Sequence, residues 1–382
     1  MKLVIDENIV FAKEAFSEFG EIKLIPGREM KNSDLHDTDI LIVRSVTNVN
    51  RDLLNSSRVR FVGTATIGTD HLDENYLKEN GMFFCSAEGC NSMSVAEYVF
   101  AGIFSLTKKH KFNLTDKSIG IIGLGNVGSK VKKIAEAVGL TVFQNDPPRQ
   151  KKENLKGFVS LNEALNCDIV TFHVPLNESG EDCTYKLLNE NNLGRIKAGS
   201  ILINTSRGSV VDNASLKKRL MTHKDIFTIL DVWENEPDFD LELLHLVDFG
   251  TPHIAGYSFE GKVNGTKTIY DKLCEYLQRS VLWRPKTEKP NENKIFWDEN
   301  KSVQNNLEEI FPLVYSIQSD DNNLRKYNLQ ESMSHSQYFD YLRKSYPRRR
   351  EFSAYRVSGN KISTDVIKVL QSLNVELNNN TK

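Results

Sequence analysis

Short apolar runs alternate with helix-like segments through the first hundred residues of the chain. Four of these runs are rich in β-branched and aromatic side chains, which favours strands at 3–5, 40–43, 59–62 and 82–84. Segments 11–19 and 75–80 lie between them, and a glycine follows each, as is common just past a helix. Alternation of strands and helices is typical of a parallel sheet with helices on its faces.

A second alternating series follows a long helical pattern at 93–110. Its apolar runs predict strands at 118–122, 141–144, 168–172, 200–204 and 227–231. The segments between these runs predict helices at 127–138, 161–165 and 214–221. This series therefore indicates a second parallel sheet.

The residue composition of the chain changes after a last helical stretch at 259–282. Residues 286–300 are polar and charged, which indicates a linker. The remainder predicts helices at 303–317 and 364–373 and a strand at 352–357.

Composition excludes several classes of protein. The 382 residues include 49 Lys and Arg against 51 Asp and Glu, a net charge of −2, which argues against a basic nucleic-acid surface. Asp6 and Glu7 interrupt the first apolar run, so no secretory signal is expected. No later apolar run is long enough for a membrane span. The five cysteines form neither a CxxC pair nor a zinc pattern, so no metal site is predicted and a reducing, cytoplasmic location is expected.

A glycine-rich loop follows the first predicted strand of the second series. Gly123, Gly125 and Gly128 have the GxGxxG spacing of a dinucleotide-binding turn, which Asn126 and Val127 complete. At this spacing the first glycine permits a tight turn, the second lets a pyrophosphate approach the backbone, and the third allows a helix to pack closely on the strand. The helix that follows offers its N-terminal N–H groups to the phosphates.

The choice of cofactor depends on Asp146, at the end of the next predicted strand. A carboxylate there accepts hydrogen bonds from the adenosine ribose hydroxyls and repels a 2′-phosphate, which predicts NAD rather than NADP. Arg149 leaves NADP open, since a nearby arginine is able to bind that phosphate. A purely structural glycine turn with an unrelated acid is the other alternative.

Three segments after later strand-like runs carry reactive side chains: Arg207, Glu236 and His253. Ligands of an open α/β sheet bind at the carboxyl ends of its strands, where all three segments fall. Oxidation of an alcohol by hydride transfer needs a base for the hydroxyl proton, an acid that orients this base, and a cation for the substrate anion. His253, Glu236 and Arg207 supply this set, although each residue alone is equally consistent with a surface or loop position.

These segments together resemble the D-isomer-specific 2-hydroxyacid dehydrogenase family over residues 1 to about 283. Besides the glycine loop, the resemblance rests on the motifs 172–175, 204–208, 231–237 and 253–256. It implies an α/β fold in which a Rossmann NAD-binding domain, 94–255, is inserted into a flavodoxin-like substrate-binding domain, 1–93 and 256–284.

The resemblance also implies roles for individual residues. Arg207, Glu236 and His253 would be catalytic. Outside the glycine loop, the residues that would contact NAD are Asp146, Val174, Thr205, Ser206, Asp231 and Gly256. Val174 departs from the threonine that related sequences can have, which removes a side-chain hydrogen bond to the cofactor. Thr205-Ser206 replaces an Ala-Cys pair, where backbone contacts are expected to survive.

Substrate contacts are expected from Ser45, Thr66 and Tyr257 by the same resemblance. Arg44, together with Ser45, is the candidate for a distal phosphate of the substrate because of its charge and position. A structural ion pair is the alternative for this arginine.

Further motifs, 44–47, 63–71, 89–91, 146–149 and 253–262, are similar to a subgroup of the family. That subgroup oxidises a phosphorylated four-carbon 2-hydroxy acid on a route to pyridoxal phosphate, and the resemblance implies this activity. Its α+β C-terminal dimerisation domain has a counterpart in 285–382, notably at 340–344 and 348–351, so a homodimer is expected. The basic run 348–350 is interpreted as solvated charge on this domain, and a contact with a phosphate or a partner subunit's active site is the alternative.

Two other functions stay open at this point. Another dehydrogenase of the family would act on 3-phosphoglycerate, glycerate or lactate. A protein that senses NAD without turnover would keep the fold, but it would not need the complete set of Arg207, Glu236 and His253.

Overall fold

The computed structural model describes residues 1–154, 156–329, 332–359 and 362–377. They divide into two compact units. The first unit comprises 1–91 and 258–288, and the second comprises 92–257 together with the C-terminal segment that begins at 289. The division of the chain into three domains stays a prediction.

The strands are β1 (Lys2–Asp6), β2 (Glu21–Ile25), β3 (Ile40–Val43), β4 (Phe61–Thr64), β5 (Phe83–Ser86), β6 (Ser118–Ile122), β7 (Thr141–Asn145), β8 (Ile169–Phe172), β9 (Ile201–Asn204), β10 (Phe227–Leu230), β11 (Phe249–Gly250), β12 (Lys294–Phe296), β13 (Arg356–Ser358) and β14 (Glu376–Leu377). The α-helices are α1 (Ala12–Phe16), α2 (Arg51–Leu54), α3 (Glu74–Glu79), α4 (Ser92–His110), α5 (Asn126–Ala137), α6 (Pro147–Glu153), α7 (Leu161–Leu165), α8 (Asn213–Thr222), α9 (Leu241–Leu246), α10 (Phe259–Tyr276), α11 (Val303–Val314), α12 (Ile317–Leu324), α13 (His335–Lys344) and α14 (Thr364–Ser372).

The first unit is built on a parallel sheet with the order β2-β1-β3-β4-β5. This is the 2-1-3-4-5 order of flavodoxin-like folds, which confirms the predicted fold class. Residues of β3 and β4 are buried throughout, as expected of central parallel strands covered on both faces. The sequence pattern missed β2 because this edge strand carries exposed Glu21 and Lys23 beside its apolar residues.

The second unit contains a six-stranded parallel sheet with the order β11-β10-β9-β8-β6-β7. An isolated parallel bridge joins Phe158 to Gln144 of the edge strand β7, and Phe158 thus occupies the place of a further strand beside it. From this edge inward the order is that of a Rossmann sheet, 3-2-1-4-5-6, followed by β11. The predicted Rossmann architecture is thereby confirmed.

The C-terminal segment corrects three expectations. The predicted linker 286–300 contains β12, which pairs with β13 in a three-stranded parallel sheet. The helix predicted at 303–317 ends at Val314, because Tyr315 and Ser316 are extended and the Ser316 side chain caps α12. The strand predicted from 352 starts at Arg356, after a short 3-10 turn.

The basic run 348–350 is not uniformly solvated, contrary to the interpretation from sequence. Arg349 is buried, and its guanidinium lies 3.7 Å from the ring centroid of Tyr315. It donates hydrogen bonds to the carbonyl oxygens of Ala255 (3.0 Å) and Ser94 (2.8 Å). Arg349 therefore anchors the C-terminal segment to the backbone at Ala255 and Ser94 within the second unit.

None of the helices in the described part of the chain is both long and apolar enough to cross a membrane.

Candidate active site

The three predicted catalytic residues lie in loops at the carboxyl-terminal ends of the strands of the second sheet. Arg207 follows β9, Glu236 follows β10, and His253 follows β11. Because these strands are parallel, their carboxyl ends meet at the same edge. Strand order thus brings together residues that are far apart in the chain.

A close backbone approach connects the first two loops. A Cβ atom at Gly208 would lie 1.9 Å from both the carbonyl carbon and the oxygen of Trp233, a distance that only glycine permits. Trp233 also donates from its indole N–H to the carbonyl oxygen of Thr251 at 2.9 Å. The loop that carries Arg207, the loop that carries Glu236 and the segment leading to His253 are therefore packed against each other.

Asp231 organises the loop that carries His253. Its buried carboxylate accepts hydrogen bonds from Thr251 Oγ1 (2.6 Å) and from the backbone N–H groups of Ile254 (2.8 Å) and Ala255 (2.9 Å). Burial raises the pKa of Asp231, and these donors oppose the rise. The predicted contact of Asp231 with NAD stays a prediction, but the structure gives this residue a second role in shaping the loop.

His253 occupies an unusual backbone conformation within this loop. Its φ is +56°, in the left-handed region that residues other than glycine seldom adopt. The backbone N–H of His253 donates to the carbonyl oxygen of Asp231 at 2.7 Å. Strained backbone of this kind persists only where the surroundings over-determine it, and it is concentrated at functional sites.

Glu236 and His253 form a hydrogen-bonded pair. Nδ1 of His253 lies 2.7 Å from Oε2 of Glu236, and the backbone N–H of Trp233 donates to Oε1 at 2.7 Å. Burial opposes ionisation of Glu236, but the adjacent His253, the Trp233 N–H and the positive charge of Arg343 outweigh it and hold the pKa of Glu236 below its usual value. An ionised carboxylate only accepts hydrogen bonds, so Nδ1 carries the proton and donates to Glu236. Nε2 is then the nitrogen that is able to take a proton from a ligand.

Arg207 is held by its own turn. The side chain of Asn204 donates to the carbonyl oxygen of Arg207 at 2.9 Å, and its Oδ1 accepts from the backbone N–H and the hydroxyl of Ser206. One guanidinium N–H of Arg207 donates to the Ser206 carbonyl at 2.9 Å. Asn204 belongs to the predicted motif 204–208 without a role of its own there, and it fixes the turn from the end of β9.

The glycine loop has the shape that a pyrophosphate requires. Gly125 is the N-cap of α5 and has no side chain to satisfy the first N–H groups of that helix, and no atom lies within 4 Å of a Cβ built on it. A Cβ at Gly128, in contrast, would lie 2.0 Å from the carbonyl oxygen of Gly123. The residues present therefore fit a dinucleotide, with open space above Gly125 and close packing at Gly128.

Asp146 and Arg149 are both engaged with this loop. Asp146 Oδ2 accepts from the backbone N–H of Leu124 at 2.7 Å, and Oδ1 accepts from the N–H of Arg149 at 3.0 Å. The Arg149 guanidinium donates to the carbonyl oxygen of Leu124 and pairs with Glu153 at 2.9 Å. Arg149 thus supports the loop, an arrangement that favours Asp146 as the group that meets the ribose.

His173 belongs to the same edge of the sheet, although the sequence patterns gave it no role. Its ring lies between Thr171 Oγ1 (3.0 Å from Nε2) and Thr205 Oγ1 (3.2 Å from Nδ1). Desolvation lowers the pKa of His173 to about 3, so the ring is neutral. Its neighbour Val174 approaches the glycine loop, since a Cβ at Gly123 would lie 2.8 Å from a Val174 methyl group.

The remaining predicted residues fall into both units. Gly256 and Tyr257 belong to the second unit, and the N–H of Tyr257 donates to the Ile254 carbonyl at 2.8 Å. Ser45, Thr66 and Arg44 belong to the first unit and follow β3 and β4.

In the first unit, two side-chain groups mark the carboxyl ends of the strands. Arg44 is paired with the buried Asp6, with Nε 3.0 Å and a second nitrogen 3.3 Å from its oxygens. The hydroxyl of Thr66 lies 2.7 Å from that of Thr64, which is 2.9 Å from Nε2 of His71. Burial lowers the pKa of His71 to about 4. The ion pair predicted as the alternative for Arg44 is present, and it also fixes the guanidinium in place.

Comparisons with known proteins agree with this geometry. Residues 91–255 match the family model of the NAD binding domain of D-isomer specific 2-hydroxyacid dehydrogenases, and residues 287–373 match a family described as a domain of unknown function. The erythronate-4-phosphate dehydrogenase of Proteus mirabilis is 44% identical over 94% of each chain. That of Tolumonas auensis is 40% identical over 97% of this chain and 98% of its own. The structure of NAD+-bound 3-phosphoglycerate dehydrogenase from Entamoeba histolytica has a TM-score of 0.63 at 25% identity and matches 73% of this chain and 95% of its own.

Proposed function

The chain belongs to the erythronate-4-phosphate dehydrogenase family, and on this premise we propose how its residues carry out the family's reaction. The reaction is the NAD-dependent oxidation of 4-phospho-D-erythronate to 3-hydroxy-2-oxo-4-phosphobutanoate, a step in the synthesis of pyridoxal phosphate. The single observation that carries the proposal is the His253–Glu236 pair, which leaves Nε2 of His253 available as a base.

His253 takes the proton of the C2 hydroxyl at Nε2. The carboxylate of Glu236 orients the ring through Nδ1 and stabilises the imidazolium that forms. Arg207 provides the positive charge that binds the substrate carboxylate and the developing carbonyl oxygen. The hydride that leaves C2 would be accepted by NAD, which is the chemistry that the bound cofactor would supply.

The cofactor is NAD, and the glycine loop is the part of the chain that fits its pyrophosphate. The N–H groups at the start of α5, which receive no side-chain cap from Gly125, and the positive end of the helix dipole favour the phosphates. The carboxylate of Asp146 accepts hydrogen bonds from the ribose hydroxyls, and its negative charge disfavours a 2′-phosphate. Thr205, Ser206, Val174 and Gly256 are proposed to complete the contacts with the cofactor.

The substrate's phosphate is proposed to bind in the first unit. Arg44 is held at the end of β3 by Asp6, and Lys262 of α10 lies close enough for its charge to interact with that of Arg44. Desolvation, together with Arg44, lowers the pKa of Lys262, as expected where cations are gathered for an anion. Ser45, Thr66 and Tyr257 are proposed to bind the rest of the substrate.

A substrate panel tests the proposal. The purified protein is incubated with NAD and with 4-phospho-D-erythronate, D-erythronate, 3-phospho-D-glycerate, D-glycerate or D-lactate, and NADH formation is followed. The phosphorylated four-carbon acid is expected to give the highest kcat/KM, and a preference for another acid would contradict the proposal. Replacing His253 with Ala is expected to lower kcat roughly a hundredfold or more while NADH binding is retained.

A homodimer and a cytoplasmic location are the finer parts of the proposal. Exposed apolar side chains in the C-terminal segment, Phe296 and Leu313, support an interface there. All five cysteines carry free thiols, which supports a reducing compartment. Light scattering of the purified protein tests the first, and cell fractionation tests the second.

A further inference from the structure

Helix α13 of the C-terminal segment lies against the loop that carries Glu236. His335 Nε2 is 2.6 Å from Asp238 Oδ1, and the Ser336 hydroxyl donates to the same oxygen at 3.1 Å. The ring of Phe339 packs on that of Phe239 with centroids 5.3 Å apart. The helix is thus fixed to the residues that immediately follow Glu236.

The last turn of α13 carries an arginine toward the catalytic pair. The Arg343 guanidinium lies 5.8 Å from the ring centroid of Tyr257 and 5.9 Å from that of Phe339, and Nε donates to the Tyr257 hydroxyl at 3.2 Å. Asp340, one turn earlier, has its Oδ1 4.0 Å from Nη1 of Arg343. The side chain is 21% exposed, so its charge acts where solvent screens it only partly.

We propose that Arg343 is a positioning residue of the dehydrogenase site, which orients the Tyr257 hydroxyl and places a positive charge beside Glu236. This inference rests on the proposed function and assigns a role in the reaction to a segment whose family is described only as a domain of unknown function. It is independent of dimerisation.

The hydrogen bond fixes the direction in which Tyr257 acts. An arginine N–H only donates, so the Tyr257 oxygen accepts from Arg343 and its own hydrogen points elsewhere. A phenol held in this way is a donor to an anionic oxygen of the substrate. Arg343 therefore selects the donor role of Tyr257, which a carboxylate or phosphate needs.

The second effect of Arg343 is electrostatic. The charged groups that act on Glu236 are His253, from the loop after β11, and Arg343, from α13. Arg343 in turn interacts with Tyr257, Glu236 and Asp340. The positive charge of Arg343 makes protonation of Glu236 harder, so it extends activity toward lower pH.

Variants of one helix separate this role from a structural one. Arg343→Met removes the charge and the donors but keeps the apolar stem, and Arg343→Lys keeps the charge. Lys344→Met is the matched control, since it removes the same charge from the next, exposed position of α13. Tyr257→Phe and the double variant Arg343→Met with Tyr257→Phe complete the set.

Arg343→Met is expected to lower kcat/KM about tenfold, the effect of one charged hydrogen bond, with NADH affinity unchanged. The acid limb of the kcat/KM profile is expected to move to higher pH, and Arg343→Lys is expected to restore the limb. In the Tyr257→Phe background the same substitution should cost less, because part of its effect passes through the phenol. Lys344→Met should behave as the unsubstituted protein.

Two outcomes would overturn the inference. One is an Arg343→Met variant with unchanged kcat/KM and an unchanged acid limb. The other is a loss of activity that only follows a loss of Tm, with no movement of the limb and no rescue by lysine. An unsubstituted protein that prefers another hydroxy acid contradicts the proposed function alone, and the variants are then compared on that acid.

Discussion

Nδ1 of His253 lies 2.7 Å from Oε2 of Glu236, although the two residues come from different loops of the second sheet. The backbone N–H of Trp233 binds the other oxygen of the same carboxylate. Glu236 is thus fixed at both oxygens, and the imidazole is fixed by Glu236. This arrangement leaves Nε2 as the ring nitrogen that the proposed mechanism uses as a base.

Glu236→Gln tests this relationship. A glutamine keeps the shape but removes the charge that stabilises the imidazolium, so kcat is expected to fall roughly a hundredfold. Steady-state kinetics with NAD and 4-phospho-D-erythronate measure the change. In a His253→Asn background, adding Glu236→Gln should cost almost nothing, because the carboxylate acts through the histidine. Additive losses would assign Glu236 a separate role.

Asp146→Asn tests cofactor recognition. The amide loses the negative charge that repels a 2′-phosphate, so KM for NAD is expected to rise about tenfold and relative use of NADP to increase. Kinetics with both cofactors measure the two effects. The control is Asp116→Asn, an exposed aspartate before the amino end of β6. An unchanged preference for NAD in Asp146→Asn would remove this residue from cofactor selection.

Gly208→Ala tests the backbone approach between the Arg207 and Glu236 loops. The added methyl group would lie 1.9 Å from the Trp233 carbonyl, so one loop must move, and we expect a loss of about 3 kcal/mol in the free energy of unfolding. Gly194→Ala is the control, because no atom lies within 4 Å of a Cβ at that position. Urea unfolding measures both variants, and equal stability of the two would contradict the packing described.

Arg349→Met tests the buried anchor of the C-terminal segment. The substitution leaves the carbonyl oxygens of Ala255 and Ser94 without this donor and removes the cation that interacts with Glu97 and Asp320. We expect the free energy of unfolding to fall by about 3 kcal/mol. Lys344→Met, at an exposed position of α13, should change it by less than about 0.5 kcal/mol. Similar values for both variants would show that burial of Arg349 contributes little.

His71 and His173 make stability depend on pH. Desolvation lowers the pKa of His71 to about 4 and that of His173 to about 3, whereas an unfolded histidine has a pKa of about 6.5. Between these values the unfolded chain binds more protons than the native one, so stability is fully present above pH ~6.5 and is lost as the pH falls toward 4. Unfolding measured from pH 7 to 4 should show a flatter dependence in His71→Gln and in His173→Gln. The exposed His36→Gln is the control, and an equal slope in all variants would contradict the shifts.

Most elements of both sheets were predictable, because the relevant pattern is local. The runs at 40–43 and 118–122 coincide with β3 and β6, and the glycine loop occupies the turn between β6 and α5. The strand missed at Glu21–Ile25 and the strand within the predicted linker, Lys294–Phe296, lie at sheet edges, and both contain exposed charged side chains. Edge strands have no continuous apolar run to reveal them.

The sequence by itself determined that the protein has an α/β fold with a dinucleotide-binding loop. Strand–helix alternation, the GxGxxG spacing and the position of Asp146 after the next strand are all properties of short stretches of chain. The sequence also identified Arg207, Glu236 and His253 as candidates, because each follows an apolar run. Only the tertiary structure decided which of these residues touch and which unnoticed ones support them. Arg349 contacts Ser94 across 255 positions, and Arg343 contacts Tyr257 across 86. Such pairings are set by strand order and helix packing. The hydrogen bonds that compensate for burial of an arginine come from residues that are distant in the chain.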